Sequence, residues 1–193
     1  MKSKGVIIIN TVSLCPELIS NKHLISRIRV APIKEEIIKI ISHADTNTVF
    51  YYDFKDVQAI NSSGVDELVS KVIKHLCESE KDKYLYFINL NNEDHEHAYN
   101  IETTLHGTKL AIVEKDANGK ANFIGDISDT HSKILDQVYL LKITTAREIA
   151  DLLNKQPNLI STHLNSLYKQ RLVKRVEEPL IEGGRQFVYK SIF

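Results

Sequence analysis

The spacing of apolar residues changes character near Asp126, and that change limits what the chain can fold into. Before it, short β-branched or aromatic runs alternate with apolar stripes at helical spacing. After it, helical stripes dominate and end in two short strand-like segments around a double glycine. A single uniform bundle or barrel is incompatible with both halves. The reading is therefore two domains, residues 1–126 and 127–193, a division that the 193-residue length allows.

In the first domain Gly5–Asn10, Leu24–Val30, Thr48–Phe54 and Tyr84–Leu90 are expected strands, Leu24–Val30 because apolar and polar residues alternate there. Pro32 is expected in the first turn of a helix carrying Ile33, Ile37, Ile40 and Ile41. Helices are also expected from Ser63 to about Ser79 and over roughly Glu93–His106. Lys109–Lys115 and Ala121–Gly125 flank Asn118-Gly119, a hairpin signal. This is an α/β pattern around one mixed sheet.

In the second domain Ser128–Leu141 reads as a helix, and Thr145-Ala-Arg-Glu148 has the spacing of a capping box opening a short one. A turn at Asn154–Pro157 leads into the helix Asn158–Lys169, followed by strands at Leu172–Glu177 and Gln186–Ile192. Helix, short helix, turn, helix and hairpin is the order of a winged helix-turn-helix. Through Thr144–Leu153, Ser161–Leu167 and Leu172-Val173 the segment from about Asp129 to Phe193 resembles the MarR/ArsR-like bacterial regulators. Arg171 stands where that family usually has glycine, at a helix end that favours a left-handed residue.

The residue chemistry points the same way. Asn158, Ser161, Thr162 and Asn165 are short polar groups on the outward side of the second helix, suited to base-edge donors and acceptors. Between Leu152 and Val176 every charged residue is positive: Lys155, Lys169, Arg171, Lys174 and Arg175. Lys169, Lys174 and Arg175 are expected phosphate contacts, with Arg185 reaching out from the wing. The expected partner is double-stranded DNA, bound by a homodimer that matches palindromic half-sites. The formal net charge is zero, which excludes a chain coated throughout in positive charge. The zero is a cancellation between 15 basic and 18 acidic residues up to Asp126 and 10 and 7 beyond it.

A second resemblance lies in Asp53-Phe-Lys-Asp-Val-Gln-Ala-Ile-Asn-Ser-Ser-Gly-Val-Asp-Glu-Leu68, together with Leu24-Ile-Ser-Arg27. From about Lys22 to Leu90 the chain is similar to STAS domains, in particular to the bacterial STAS-like family of unknown function. In related antagonists the first serine of Asp-Ser-Ser-Gly is phosphorylated to switch partner binding, a position that corresponds to Ser62. This chain carries Asn61 in place of the aspartate. Ser62 and Ser63 are thus candidates for phosphorylation or partner binding, and the alternative is that one of them caps a helix while Gly64 permits close packing. The module would sense a protein or small-molecule effector.

Asp94-His-Glu-His97 with His106 lacks a closed metal-ligand set and reads as a solvated helix start. Asp53, Asp56, Asp66 and Glu67 read as caps and surface groups. No catalytic, cofactor or metal site is expected, so the chain is not read as an enzyme. Apolar runs are too short to span a bilayer, and no signal-peptide pattern is present. Two cysteines, Cys15 and Cys77, suit a reducing cytoplasm, though a single bridge between them is compatible with the sequence. The alternative to a regulator is a signalling adaptor, in which the surface around Asn61–Glu67 docks a protein and the winged helix dimerises.

Overall fold

A computed structural model describes residues 6–9, 22–90, 96–179 and 183–193. Cys15, Asp94 and Glu182 lie outside them. The chain divides into two compact units, Met1–Asp126 and Ile127–Phe193.

The first unit is α/β. Strands β1 (Val6–Ile9), β3 (Val49–Asp53), β5 (Tyr84–Ile88) and β6 (Ala111–Lys115) run parallel in that order, and β7 (Ala121–Gly125) closes one edge antiparallel to β6. Val49 pairs with Tyr84 and Phe50 with Leu85, a register that sets Phe50, Leu85 and Phe87 on one face of the sheet, where all three are buried in the core. Near-continuous burial of β5 follows from its central position in a parallel sheet. A separate short parallel pair joins β2 (His23–Leu24) to β4 (Ala59–Ile60).

Helix α1 spans Arg27–His43 and overturns the expected strand at Leu24–Val30, of which only Leu24 belongs to a strand, β2. Val30, Ile33, Ile37 and Ile41 are all buried at spacings of three and four, whereas Ile28 is 87% exposed. Burial of that stripe outweighs the local alternation. Pro32 lies inside the helix rather than in its first turn, and it lies on the exposed face. There water can satisfy the carbonyl that its missing N–H cannot serve.

The helix after β4 is continuous but not uniform: α2 (Ser62–Val65) runs through a π-helical turn, Asp66–Ser70, into α3 (Lys71–Ser79). The Tyr52 hydroxyl donates to the Leu68 carbonyl within that turn at 3.1 Å. Burial holds the Tyr52 phenol well above its usual range. Glu67, in the same turn, is buried against cations from both helices. Lys34 Nζ lies 2.9 Å from it, Lys71 donates to its other oxygen, and Arg27 lies 4.0 Å away. Burial raises the Glu67 pKa, but the ammonium groups of Lys71 and Lys34 prevail and hold it below the usual carboxylate range. Lys83, also buried, donates to the Ile41 and Ser42 carbonyls and to Glu80, which closes the carboxyl end of α1. Helix α4 (Glu96–Leu105) completes the unit.

The second unit consists of α5 (Asp129–Leu141), β8 (Ile143–Thr145), α6 (Ala146–Leu153), α7 (Pro157–Lys169), β9 (Lys174–Pro179) and β10 (Arg185–Lys190). The three strands form one antiparallel sheet with β10 in the middle. Strand β8 had no counterpart in the sequence reading. Its last residue, Thr145, is also the N-cap of α6, and both halves of the Thr145–Glu148 capping box form.

Gly64 shows how tightly α2 is seated. A Cβ there would lie 1.8 Å from the Leu24 carbonyl oxygen and 2.9 Å from its carbon, both backbone atoms. Gly64→Ala is expected to lower the stability of the first unit by about 2 kcal/mol or more, as overpacking against rigid neighbours does. Urea unfolding followed by circular dichroism measures it; a loss under about 0.5 kcal/mol would show that β2 gives way freely.

Candidate nucleic-acid interface

Helix α7 starts at a turn built for a sharp change of direction. Asn154 ends α6 in the left-handed conformation at φ 50°, Gln156 is the N-cap of α7, and Pro157 fills the first helical position. Pro157 has no N–H to leave orphaned there. Ile160, Leu164 and Leu167 face the core, so the helical period turns Asn158 and Thr162 fully outward and leaves Ser161 and Asn165 half-buried. The Thr162 hydroxyl donates back to the Asn158 carbonyl at 3.0 Å. The first turn of α7 carries no acidic residue and no side-chain cap, so the positive end of its dipole is uncompensated.

The basic residues divide into two groups. Lys155 and Lys169 are exposed on either end of α7. Lys174 and Arg175 are engaged within the protein. Lys174 Nζ donates to the Ile192 carbonyl at 2.6 Å. The Arg175 guanidinium lies 4.1 Å from the Tyr168 ring centroid and 4.3 Å from that of Phe187, and donates to Asn165 Oδ1 at 2.7 Å. It therefore fastens the wing strands to the helix, a stacked role that lysine could not fill. Asn165 is held by its oxygen, and its amide is the end that can donate outward. Arg185 is exposed on β10, 3.4 Å from Glu177. An exposed pair of that kind contributes only about 0–1 kcal/mol, so a phosphate could displace the glutamate.

Arg171 adopts φ 62°, the left-handed conformation that glycine usually supplies, and its Nη1 donates to the Tyr168 carbonyl at 3.3 Å. The helical spacing places Tyr168 with Ile160, Leu164 and Leu167 on the buried stripe and Phe187 within a strand, and it does not reveal that both rings clasp Arg175.

In the first unit Asn61, not Ser62 or Ser63, caps the helix: its Oδ1 accepts from the Gly64 N–H at 3.0 Å. Ser62 is exposed and Ser63 half-buried. Glu67 is 2% exposed and so contributes nothing to a surface there. Asp53 accepts from the Lys55 N–H and from Asn89, and Asp56 pairs with Lys22 at 3.2 Å. His97 is 1% exposed rather than solvated, with its Nε2 on the Val57 carbonyl at 2.9 Å, while His106 is exposed. Among the described residues no group of three or more His, Cys, Asp or Glu could hold a metal ion.

Residues 128–175 match the family model described as bacterial regulatory protein, arsR family. The match runs from the N-cap of α5 to Arg175 and marks a C-terminal helix-turn-helix regulator domain, which suggests a DNA-binding transcriptional regulator. No curated protein matches the chain. No helix among the described residues is long and apolar enough to cross a membrane.

His163, on α7, points away from the exposed face and meets His131 of α5. His163 Nδ1 lies 3.2 Å from His131 Nε2, with the rings edge-on. Burial, and then the neighbouring His163, lower the His131 pKa below the usual histidine range. The unfolded chain thus binds more protons than the folded one as pH falls through that range, and stability is lost with it. Chemical unfolding of the second unit should show a lower midpoint at pH 5 than at pH 7. His131→Gln should flatten that slope; an unchanged slope would place the proton uptake elsewhere.

Proposed function

We propose that this protein is a cytoplasmic transcriptional regulator that binds double-stranded DNA through its C-terminal winged unit as a homodimer. Its N-terminal unit would be a STAS-like module that senses a protein or small-molecule effector. The observation that carries the reading is α7, whose exposed polar face is flanked at both ends by exposed lysines, in the segment matched by the family model. Asn158, Ser161, Thr162 and the amide of Asn165 would meet base edges, and Lys155, Lys169 and Arg185 would meet phosphates. Lys174 and Arg175 would act one step back, by holding the wing and the helix in register. Leu140, Leu141, Ile143 and Leu152 are exposed and offer apolar surface for dimerisation. The STAS-like reading is supported by the seating of the helix start at Asn61–Gly64 against β2, and exposed Ser62 is its candidate for modification. Phosphate there would meet the positive end of the helix.

The test is a titration of genomic fragments at two salt concentrations. Affinity should fall steeply with salt, with a slope of about −0.9 per phosphate contact in a log–log plot. Thr162→Ala should relax sequence preference, whereas Lys169→Ala should weaken all duplexes alike and reduce the slope by about one. Absence of duplex binding at low salt would overturn the regulator in favour of an adaptor that docks a protein.

A further inference from the structure

A cavity of about 570 Å³ opens at the carboxyl ends of β3, β5 and β6. Its size is that of a small-molecule site, and the ends of parallel strands are where open α/β sheets hold ligands. Phe54 and Val57 supply buried apolar wall, while Lys55, His97, Glu114 and Asp116 supply the polar groups.

Two of those polar groups are buried and under-used. His97 Nε2 faces the Val57 carbonyl, which can only accept, so that nitrogen carries the proton. Among the described residues His97 Nδ1 is buried with no hydrogen-bond partner, and with under 1 Å² of accessible surface it lies behind the cavity wall rather than on it. Glu114 is 5% exposed; Asn122 donates to its Oε2 at 3.1 Å, and no ion pair reaches it among the described residues. Asp116 adds a second carboxylate, with one oxygen turned to the backbone N–H groups of Asn118 and Lys120. Buried acceptors without donors are costly to leave unmet. Among the described lining residues Lys55 is the one lysine or arginine, and no ion pair among the described residues joins it to Glu114 or Asp116.

We propose that the cavity binds a small amine or guanidine compound, which donates to the Glu114 carboxylate and lays its carbon chain on Phe54 and Val57. Lys55, exposed at the mouth, suits a carboxylate at the far end of such a molecule. This gives the sensory module of the proposed regulator its ligand class. It rests on that reading for the ligand's use, not for its binding.

Calorimetry of the full chain with agmatine, L-arginine, L-lysine and putrescine tests it, with inorganic phosphate as the anionic probe. At least one amine should bind with Kd below about 1 mM. Glu114→Gln should weaken that binding at least about tenfold, while Glu178→Gln on β9 leaves it unchanged. Tighter binding of L-arginine than of agmatine would assign the carboxylate to Lys55. In the unmodified protein the bound amine should also shift the side-chain resonances of His97, which lines the cavity, a readout that needs no variant to fold. The proposal is overturned if no amine binds at about 10 mM, if Glu114→Gln binds as well as the parent, or if phosphate binds tighter than every amine. None of these outcomes bears on duplex binding, so the two readings fail separately.

Discussion

A carboxylate withdrawn from water must be met by positive charge, and Glu67 is met by Lys34 and Arg27 from α1 and by Lys71 from its own helix. Desolvation makes such a group a liability when alone; removal of one partner from a buried pair costs about 3–5 kcal/mol. The pairing therefore fixes how α1 lies against the helix that follows β4. That helix in turn can seat only because Gly64 has no Cβ to strike the Leu24 carbonyl. Charge and close approach act on the same helix at neighbouring turns, and the Tyr52 hydroxyl ties β3 to the π-helical turn that contains Glu67. At the other end of α1, Lys83 performs a similar task with backbone carbonyls and Glu80.

The winged unit relies on a different device. Arg175 stacks between an aromatic ring of α7 and one of β10 while it holds an asparagine of the helix. A planar cation between two rings tolerates little rotation, so the wing cannot swing without disturbing the helix face. The surface offered to a duplex is thus set by a residue that reads, in the sequence, like one more phosphate contact.

The elements with long unambiguous stripes were legible: Val65 to Leu76, Ile134 to Val138, and Ile160 to Leu167 all appear where their period placed them. Leu24–Val30 misled because Val30 fits two periods at once, and only the burial of Ile33, Ile37 and Ile41 decides between them. Three-residue β8 is too short to carry a period, and its last residue already served as a cap. At the candidate interface, outward residues of α7 follow from spacing alone. The partners of Lys174 and Arg175 do not, because Ile192 and Phe187 arrive from distant parts of the sequence. Glu67 was invisible for a related reason: carboxylates are seldom buried, and Lys34 lies 33 residues away. His97 looked like a polar helix start, and nothing local reveals that the Val57 carbonyl covers one of its nitrogens.

The middle strand of the winged sheet is also the last of its three to be synthesised. Strands β8 and β9 each pair with β10 and not with one another. Until Arg185–Lys190 has left the ribosome, both present unpaired edges, of the kind that recruit other chains. A product cut short before β10 would keep all three helices and the lysines around α7, yet lack Phe187 and so one of the two rings that clasp Arg175. Translation thus decides late, and within a few residues, whether a nascent chain acquires its wing.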